Sequence, residues 1–196
     1  MKKTVTDTVF CVASGPSLIH EDCIAVEKTG CSIIAVNNTW QLFSDIYALY
    51  AGDLAWWKQY HQTVPSGRFR KITANLAAAK SYALEYRRYC GHGENYNSGE
   101  MAICLAKEVG AQQIILLGYD CSISHGLHWH GPHCENLHNP TESSVAAWHE
   151  QFQRIRKQNP NLQILNASRS SDIQCFPRIE LDAVIEQLSS EVAPAR

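Results

Sequence analysis

The chain has 196 residues, 45% of them apolar and 18% charged, and its 17 Lys and Arg stand against 19 Asp and Glu for a formal charge of −2. That length suits one domain able to bury roughly 70% of the surface its unfolded chain exposes, so neither a disulfide nor a metal is needed simply to hold it together. Near-zero net charge excludes a global field drawing the protein to nucleic acid or an acidic membrane, and the modest charged fraction argues against long disordered arms. Met1-Lys2-Lys3-Thr4-Val5-Thr6-Asp7 puts an acid where a signal peptide needs its apolar core. No apolar run approaches the roughly 18 residues of a membrane span, so the expected location is the cytoplasm, with no membrane partner. The cysteines, at positions 11, 23, 31, 90, 104, 121, 134 and 175, form no C-x-x-C pair and read as small buried apolar residues in a reducing compartment.

Along the chain, apolar runs of strand length alternate with segments of helical spacing, the pattern of an open, mostly parallel α/β sheet. Thr8 to Ala13 is the first strand, broken by Gly15-Pro16, and Glu21 to Lys28 is a short helix closed by Gly30. Cys31 to Val36 is the second strand, ending on Asn37-Asn38, and Ile46 to Ala51 is the third, ending at Gly52-Asp53 before a helix that starts at Leu54. Arg70 to Ala74 reads as a fourth strand and Ala77 to Tyr89, rich in Ala and Tyr, as a helix. Asn97-Ser98-Gly99 precedes a helix over Glu100 to Val109 that stops at Gly110, and Gln113 to Leu117 has the continuous apolarity of a central strand covered on both faces. A His-rich loop (121–140), a helix from Glu142 to Gln158, a strand from Leu162 to Asn166 and a helix from Ile179 to Leu188 complete a single domain over 1–196.

Ligands of open parallel sheets bind outside the carboxyl ends of the strands. The residues just after each strand are Ser14 and Ser17, Asn37 and Asn38, Asp53, Asp120, Asn166 and Ser168, a regular polar series that favours a site. In the first turn Gly15 lets the backbone bend tightly or approach a ligand, while Pro16 removes a donor and sets the direction of the next segment. The turn lacks the G-x-G-x-x-G spacing of a dinucleotide site and the Gly-Lys-Ser/Thr of a P-loop. Asn97-Ser98-Gly99 can cap the following helix or aim free backbone N–H groups at a phosphate or carboxylate, and the residues favour neither.

Taken in order, Val-Ala-Ser-Gly-Pro-Ser-Leu (12–18), Ala-Val-Asn-Asn (35–38), Asn-Ser-Gly before a helix (97–99) and Ile-Leu-Leu-Gly-Tyr-Asp (115–120) resemble the Rossmann-like group that contains the Campylobacter-type sialyltransferases and the archaeal 6-hydroxymethylpterin diphosphokinase-like (MptE-like) proteins, together with small phage-encoded members. The resemblance runs from about Val9 to Pro177. It implies a Rossmann-like nucleotide-binding domain in which Ser14, Asn37 and Ser98-Gly99 hold a cytidine nucleotide and Asp120 ends the next strand. The sialyltransferase turn reads Gly-Asn-Gly-Pro-Ser-Leu, whereas Ala13-Ser14 stands here in place of Gly-Asn, which leaves base and sugar open. The diphosphokinase-like branch would instead use Asp53 and Asp120 for a magnesium nucleotide, carboxylates being the usual ligands of hard cations. Either carboxylate could equally cap a helix.

His125, His128, His130, His133 and His138 fall within fourteen residues, beside Cys134 and near Asp120. Three readings compete. His125, His128, His130, His133 and Asp120 could surround a Zn²⁺, although their spacing matches no structural zinc signature. A His could instead deprotonate an acceptor hydroxyl, as a lid His does in the sialyltransferases; His138 is the positional match, with His130 and His133 as alternates. Or the loop only packs Trp129 over the site. Trp56 and Trp57 could stack on a base or sugar, or face the core and a neighbouring loop; Trp148 and Phe152, four apart on one helix, read as packing.

The expectation is therefore a glycosyltransferase-like enzyme using a nucleotide sugar of the CMP type, with the His-rich loop as a partial lid and no required cofactor. The sequence names no acceptor. It makes nucleic acid a weak candidate, kept in view by the likeness to phage proteins, whose compartment would be the host cytoplasm, and it leaves a homo-oligomer open. The alternatives are a Mg²⁺-dependent diphosphotransferase and a non-catalytic protein that binds a nucleotide or Zn²⁺.

Overall fold

The computed structural model describes residues 4–91, 94–133 and 136–192. Strands and helices alternate: β1 (Thr8–Val12), α1 (His20–Lys28), β2 (Ser32–Val36), a 3-10 turn (Asn37–Leu42), β3 (Ala48–Tyr50), α2 (Leu54–Tyr60), β4 (Arg70–Thr73), α3 (Leu76–Tyr82), β5 (Glu85–Tyr86), α4 (Ser98–Glu108), β6 (Gln113–Leu117), α5 (Glu142–Gln158), β7 (Gln163–Asn166) and α6 (Leu181–Val192). The strands form one sheet in the order β5-β4-β3-β2-β1-β6-β7, with every pair parallel. This is the open parallel α/β sheet that the strand-helix alternation predicts, in the Rossmann-like arrangement that the resemblance implies.

Alternation of side chains across the sheet explains the near-continuous apolar runs. In β1, Val9 and Cys11 point to a core built with Met101, Leu105, Phe152 and Ile155 of α4 and α5. Phe10 and Val12 point to the opposite core, with Cys23 and Val26 of α1, Trp56 and Trp57 of α2, Ala78 of α3 and Val184 of α6. Both faces are covered by helices, so neither can be polar. Seven of the cysteines fall on described residues, and all seven are free thiols. No helix among the described residues is long and apolar enough to cross a membrane.

One element differs from expectation. The helix read over Ala77 to Tyr89 ends at Tyr82, where Ala83 turns left-handed (φ 53°), and Glu85–Tyr86 becomes the short edge strand β5. Helix propensity favours continuing through this Ala-rich stretch, but pairing with β4 wins. Ile72 and Thr73 register with Glu85 and Tyr86, and the Glu85 carboxylate forms an ion pair with Arg70 at 2.7 Å.

β1 is the point where the strand order turns. From it the chain runs outward through β2 to β5 on one side and through β6 to β7 on the other, so a topological switch point lies between β1 and β6. Helix α4 ends its N-terminal approach there, held to α5 by two polar links. Asn97 Nδ2 donates to Gln151 Oε1 at 2.6 Å, and Arg154 donates to Glu100 Oε1 at 2.7 Å. Glu100 is only 2% exposed and its Oε2 has no partner, so burial raises its carboxyl pKa while Arg154 opposes the rise.

Arg154→Met should therefore leave a buried carboxylate uncompensated. Because Arg154 itself is about one-third exposed, the expected loss is about 2 kcal/mol, below the roughly 3–5 kcal/mol of a fully buried pair. Urea unfolding should show that loss at pH 7 and less of it at pH 5, where Glu100 can take up a proton. A Glu100→Gln, Arg154→Met double variant should recover most of the stability, and a double variant no more stable than the single would contradict this account.

Candidate functional site

A cavity of about 130 Å³ lies at the carboxyl edge of the sheet, between the turn after β1 (Ala13 to Pro16) and the segment after β6 (Gly118 to Ser122). Ser17 stands behind it and holds Asp120, which lines it. The Ser17 N–H donates to Asp120 Oδ2 and its hydroxyl to Asp120 Oδ1, each at 2.8 Å, while the Gly15 N–H donates to the Gly118 carbonyl at 2.8 Å. Gly15 is required by this closeness: a Cβ there would lie 2.1 Å from Asp120 Oδ1 and 2.5 Å from the Gly118 oxygen. Burial raises the Asp120 carboxyl pKa, with the two bonds from Ser17 acting against the rise.

The second wall is the start of α4. Asn97 caps the helix, its Oδ1 accepting from the Glu100 N–H at 2.7 Å. The capping reading of Asn97-Ser98-Gly99 thus holds for Asn97. The N–H groups of Ser98 and Gly99, both lining the cavity, find no acceptor among the described residues. They carry the positive end of an eleven-residue helix. The Ser98 hydroxyl accepts from the Gly52 N–H at 3.0 Å, which fixes this wall to the end of β3. Close by, Asn37 and Cys121 line the cavity with left-handed backbones (φ 52° at each), a conformation that non-glycine residues adopt at a cost. Buried Asn37 Oδ1 has no hydrogen-bond partner.

The third wall comes from the His-rich loop, which is bonded down onto the first turn. The Trp129 N–H donates to the Ser14 carbonyl at 3.2 Å, next to the His128 ring. His128 lines the cavity, and its buried Nε2 has no partner. Desolvation, together with the neighbouring His133 and His130, pulls its pKa down to about 4, so the ring is neutral at neutral pH. The rings of His128, His130 and His133 lie with centroids 4.3 to 5.3 Å apart, and burial lowers the pKa of all three.

These positions separate the sequence candidates. Ser14, Gly15, Pro16, Asn37, Asn97, Ser98, Gly99 and Asp120 come together around the cavity, whereas Ser17 stands behind it, committed to Asp120. Asn38 is also held away, accepting from Trp56 Nε1 at 2.8 Å and lying 3.3 Å from His130 Nε2. His130 therefore has that nitrogen occupied, His133 has a buried Nδ1 without a partner, and His138 is exposed and outside the cavity lining. Asp53 is solvent-exposed and not part of the lining, yet the crowded atoms around it raise its pKa. His125 is exposed, and no three His, Cys, Asp or Glu among the described residues are arranged to hold a metal ion; Cys134 lies outside those residues.

Two aromatic readings change. Trp56 and Trp57 are 3% and 0% exposed, with both indole N–H groups bonded inside, so neither offers a face to a ligand. Trp148, read as packing, lines the cavity, as does Tyr119. Tyr119 was legible as the residue following the β6 Gly118. Helical spacing alone cannot tell that the Trp148 face of α5 meets a cavity rather than a core.

The lowered histidines set a sign for acid stability. Above the ordinary histidine value of about 6.5 both folded and unfolded chains hold His128 neutral, and between about 6.5 and 4 only the unfolded chain binds the proton, so stability falls across that window. The full contribution is about 3 kcal/mol. The raised carboxyls of Asp53, Glu100 and Asp120 act in the opposite sense at its acid end. Urea midpoints measured from pH 7 to 5 should fall for the native chain and fall less for His128→Gln; equal slopes would show that His128 is not the desolvated group.

No protein-family model and no curated protein sequence matches the chain. Solved structures do. One is a MAf glycosyltransferase from Magnetospirillum magneticum AMB-1, which aligns over 97% of this chain with a TM-score of 0.60 at 13% identity. The chain spans 38% of that larger protein, and the likeness between them is one of fold.

Proposed function

We propose that the chain is a glycosyltransferase-like enzyme that binds a nucleotide sugar, of the CMP type, in the cavity between β1 and β6. The observation that carries this reading is the pairing of unused groups around one cavity: the N–H donors of Ser98 and Gly99 on one wall, and the unpartnered buried acceptors Asn37 Oδ1 and His128 Nε2 on the others. N–H groups at a helix start suit a phosphate, and neutral acceptors suit hydroxyl groups. The ordered motifs of the turn, Asn37 and Ser98-Gly99, and the likeness of fold to an enzyme named as a glycosyltransferase, support the same reading.

In this reading the acceptor hydroxyl attacks the anomeric carbon as the bond from that carbon to the phosphate oxygen breaks. His128 Nε2 takes the hydroxyl proton, and the departing phosphate keeps the bonding electrons and is stabilised by the Ser98 and Gly99 N–H groups. His128 replaces His138, His130 and His133 as the base because it combines a place in the lining with a free, neutral nitrogen. The His-rich loop serves as the partial lid, and the acceptor supplies the remaining side of the site. No metal is assigned a role. Asp120, on which a magnesium diphosphotransferase would rely, has both oxygens bonded to Ser17.

Thermal melting with CMP, UDP, GDP, ATP and nucleotide sugars, each with EDTA or Mg²⁺, tests the reading. A ligand at about a hundred times its Kd should raise the melting point by roughly 5–10 °C. CMP or a CMP-sugar should do so in EDTA; a shift confined to ATP with Mg²⁺, or none with any nucleotide, would overturn the proposal. Donor-sugar hydrolysis or transfer should fall by about a hundredfold or more in His128→Gln with nucleotide binding retained.

A further inference from the structure

We infer that Trp148 is the platform on which the base of the bound nucleotide stacks, an assignment that rests on the nucleotide reading above. Trp148, Gln151, Phe152 and Ile155 share one face of α5 at helical spacing. Three of the four are accounted for. Ile155 is buried in the core, and Phe152 packs between Tyr119 and Phe176, at centroid distances of 5.8 and 6.2 Å. Gln151 is buried and bonded to Asn97, the cap of α4. Trp148 alone is half-buried: it packs in part against the core, but its indole has neither a ring partner nor a hydrogen bond among the described residues, and it lines the cavity. A large aromatic ring left in this state offers an apolar face to whatever enters.

Its position suits one part of a nucleotide. Trp148 stands three residues before Gln151, about 4.5 Å along the helix axis, so it is one turn from the residue that holds the α4 cap. Ser98, Gly99 and Trp148 therefore address the same small molecule, the first two through N–H groups and the third through a π-face. Asn37 and His128, the acceptors suited to hydroxyls, belong to the β2 end and to the loop bonded to the β1 turn, whose Trp129 packs with the core on the other face of the sheet from Trp148. A flat heterocycle thus falls to the Trp148 end and the sugar hydroxyls to the other. Among the described residues the cavity lining contains no Lys or Arg, which makes apolar contact a large share of the recognition.

Isothermal titration separates base from phosphate and sugar. Native chain, Trp148→Phe and Trp148→Ala are titrated with CMP and with ribose 5-phosphate, which keeps the sugar and phosphate and lacks the base. Base-aromatic stacking predicts that Trp148→Ala weakens CMP roughly ten- to a hundredfold, leaves ribose 5-phosphate within about twofold, and that Trp148→Phe retains most of the CMP affinity. Equal losses for both ligands in Trp148→Ala, with Trp148→Phe no better, would make the residue a structural wall and overturn the assignment. So would unchanged CMP affinity in both variants. If the native chain binds CMP and ribose 5-phosphate equally well, there is no stacked base and the assignment falls while phosphate binding stands; if it binds no nucleotide of the melting panel, both readings fall together.

Discussion

The Asp120 carboxylate holds the carboxyl edge of the sheet together. Its two oxygens receive the N–H and the hydroxyl of Ser17, tying the turn after β1 to the end of β6 across the switch point. The same segment reaches the far side of the sheet, because the Asp172 N–H donates to the Asp120 carbonyl at 2.8 Å and the Ser170 N–H to Ser17 Oγ at 3.3 Å. Hydrogen bonds to a charged group contribute about 1.5–3 kcal/mol each, so this knot holds the two backbones firmly, at a separation so short that only glycine fits at position 15. Once the turn is placed, the Ser14 carbonyl is placed too, and with it the His-rich loop that bonds there.

That dependence alters what a strand-end carboxylate means here. Asp120 stands where a cation ligand would be expected, but each of its oxygens already accepts a hydrogen bond from Ser17, and positive potential around the cavity comes from the N–H groups at the start of α4. Helix α4 is in turn kept in place by Asn97-Gln151 and Glu100-Arg154, so the helix start is positioned by α5 as much as by the sheet. The cavity is bounded by elements that are each fixed from outside it.

Much of this frame was legible in the residues. Continuous apolar runs such as Val9 to Val12 and Ile114 to Leu117 identify strands buried on both faces, and the helix read from Glu142 to Gln158 is α5. The polar series at the strand ends pointed to the edge of the sheet where the cavity lies. What could not be read was partnership. Asn37 and Asn38 are adjacent and identical in type, yet one lines the cavity and the other is buried against Trp56 and His130. Five histidines in one loop look alike until burial and bonding leave His128 with an unpartnered nitrogen in the cavity and His138 exposed. The helix-strand boundary at Ala83 escaped for a related reason: the Arg70 that draws Glu85 into the edge strand lies far along the chain.

The same partnership determines which ligand the cavity suits. A buried acceptor without a donor costs about 1–3 kcal/mol, and Asn37 Oδ1 and His128 Nε2 both carry that cost in the free chain. A simple anion meets only the Ser98 and Gly99 N–H groups and leaves both acceptors unsatisfied. A neutral polyol meets the acceptors and leaves the helix start without a negative charge. A molecule with hydroxyl donors and an anionic group in one short framework satisfies both ends at once, and the sugar-phosphate part of the nucleotide sugar proposed above has that form.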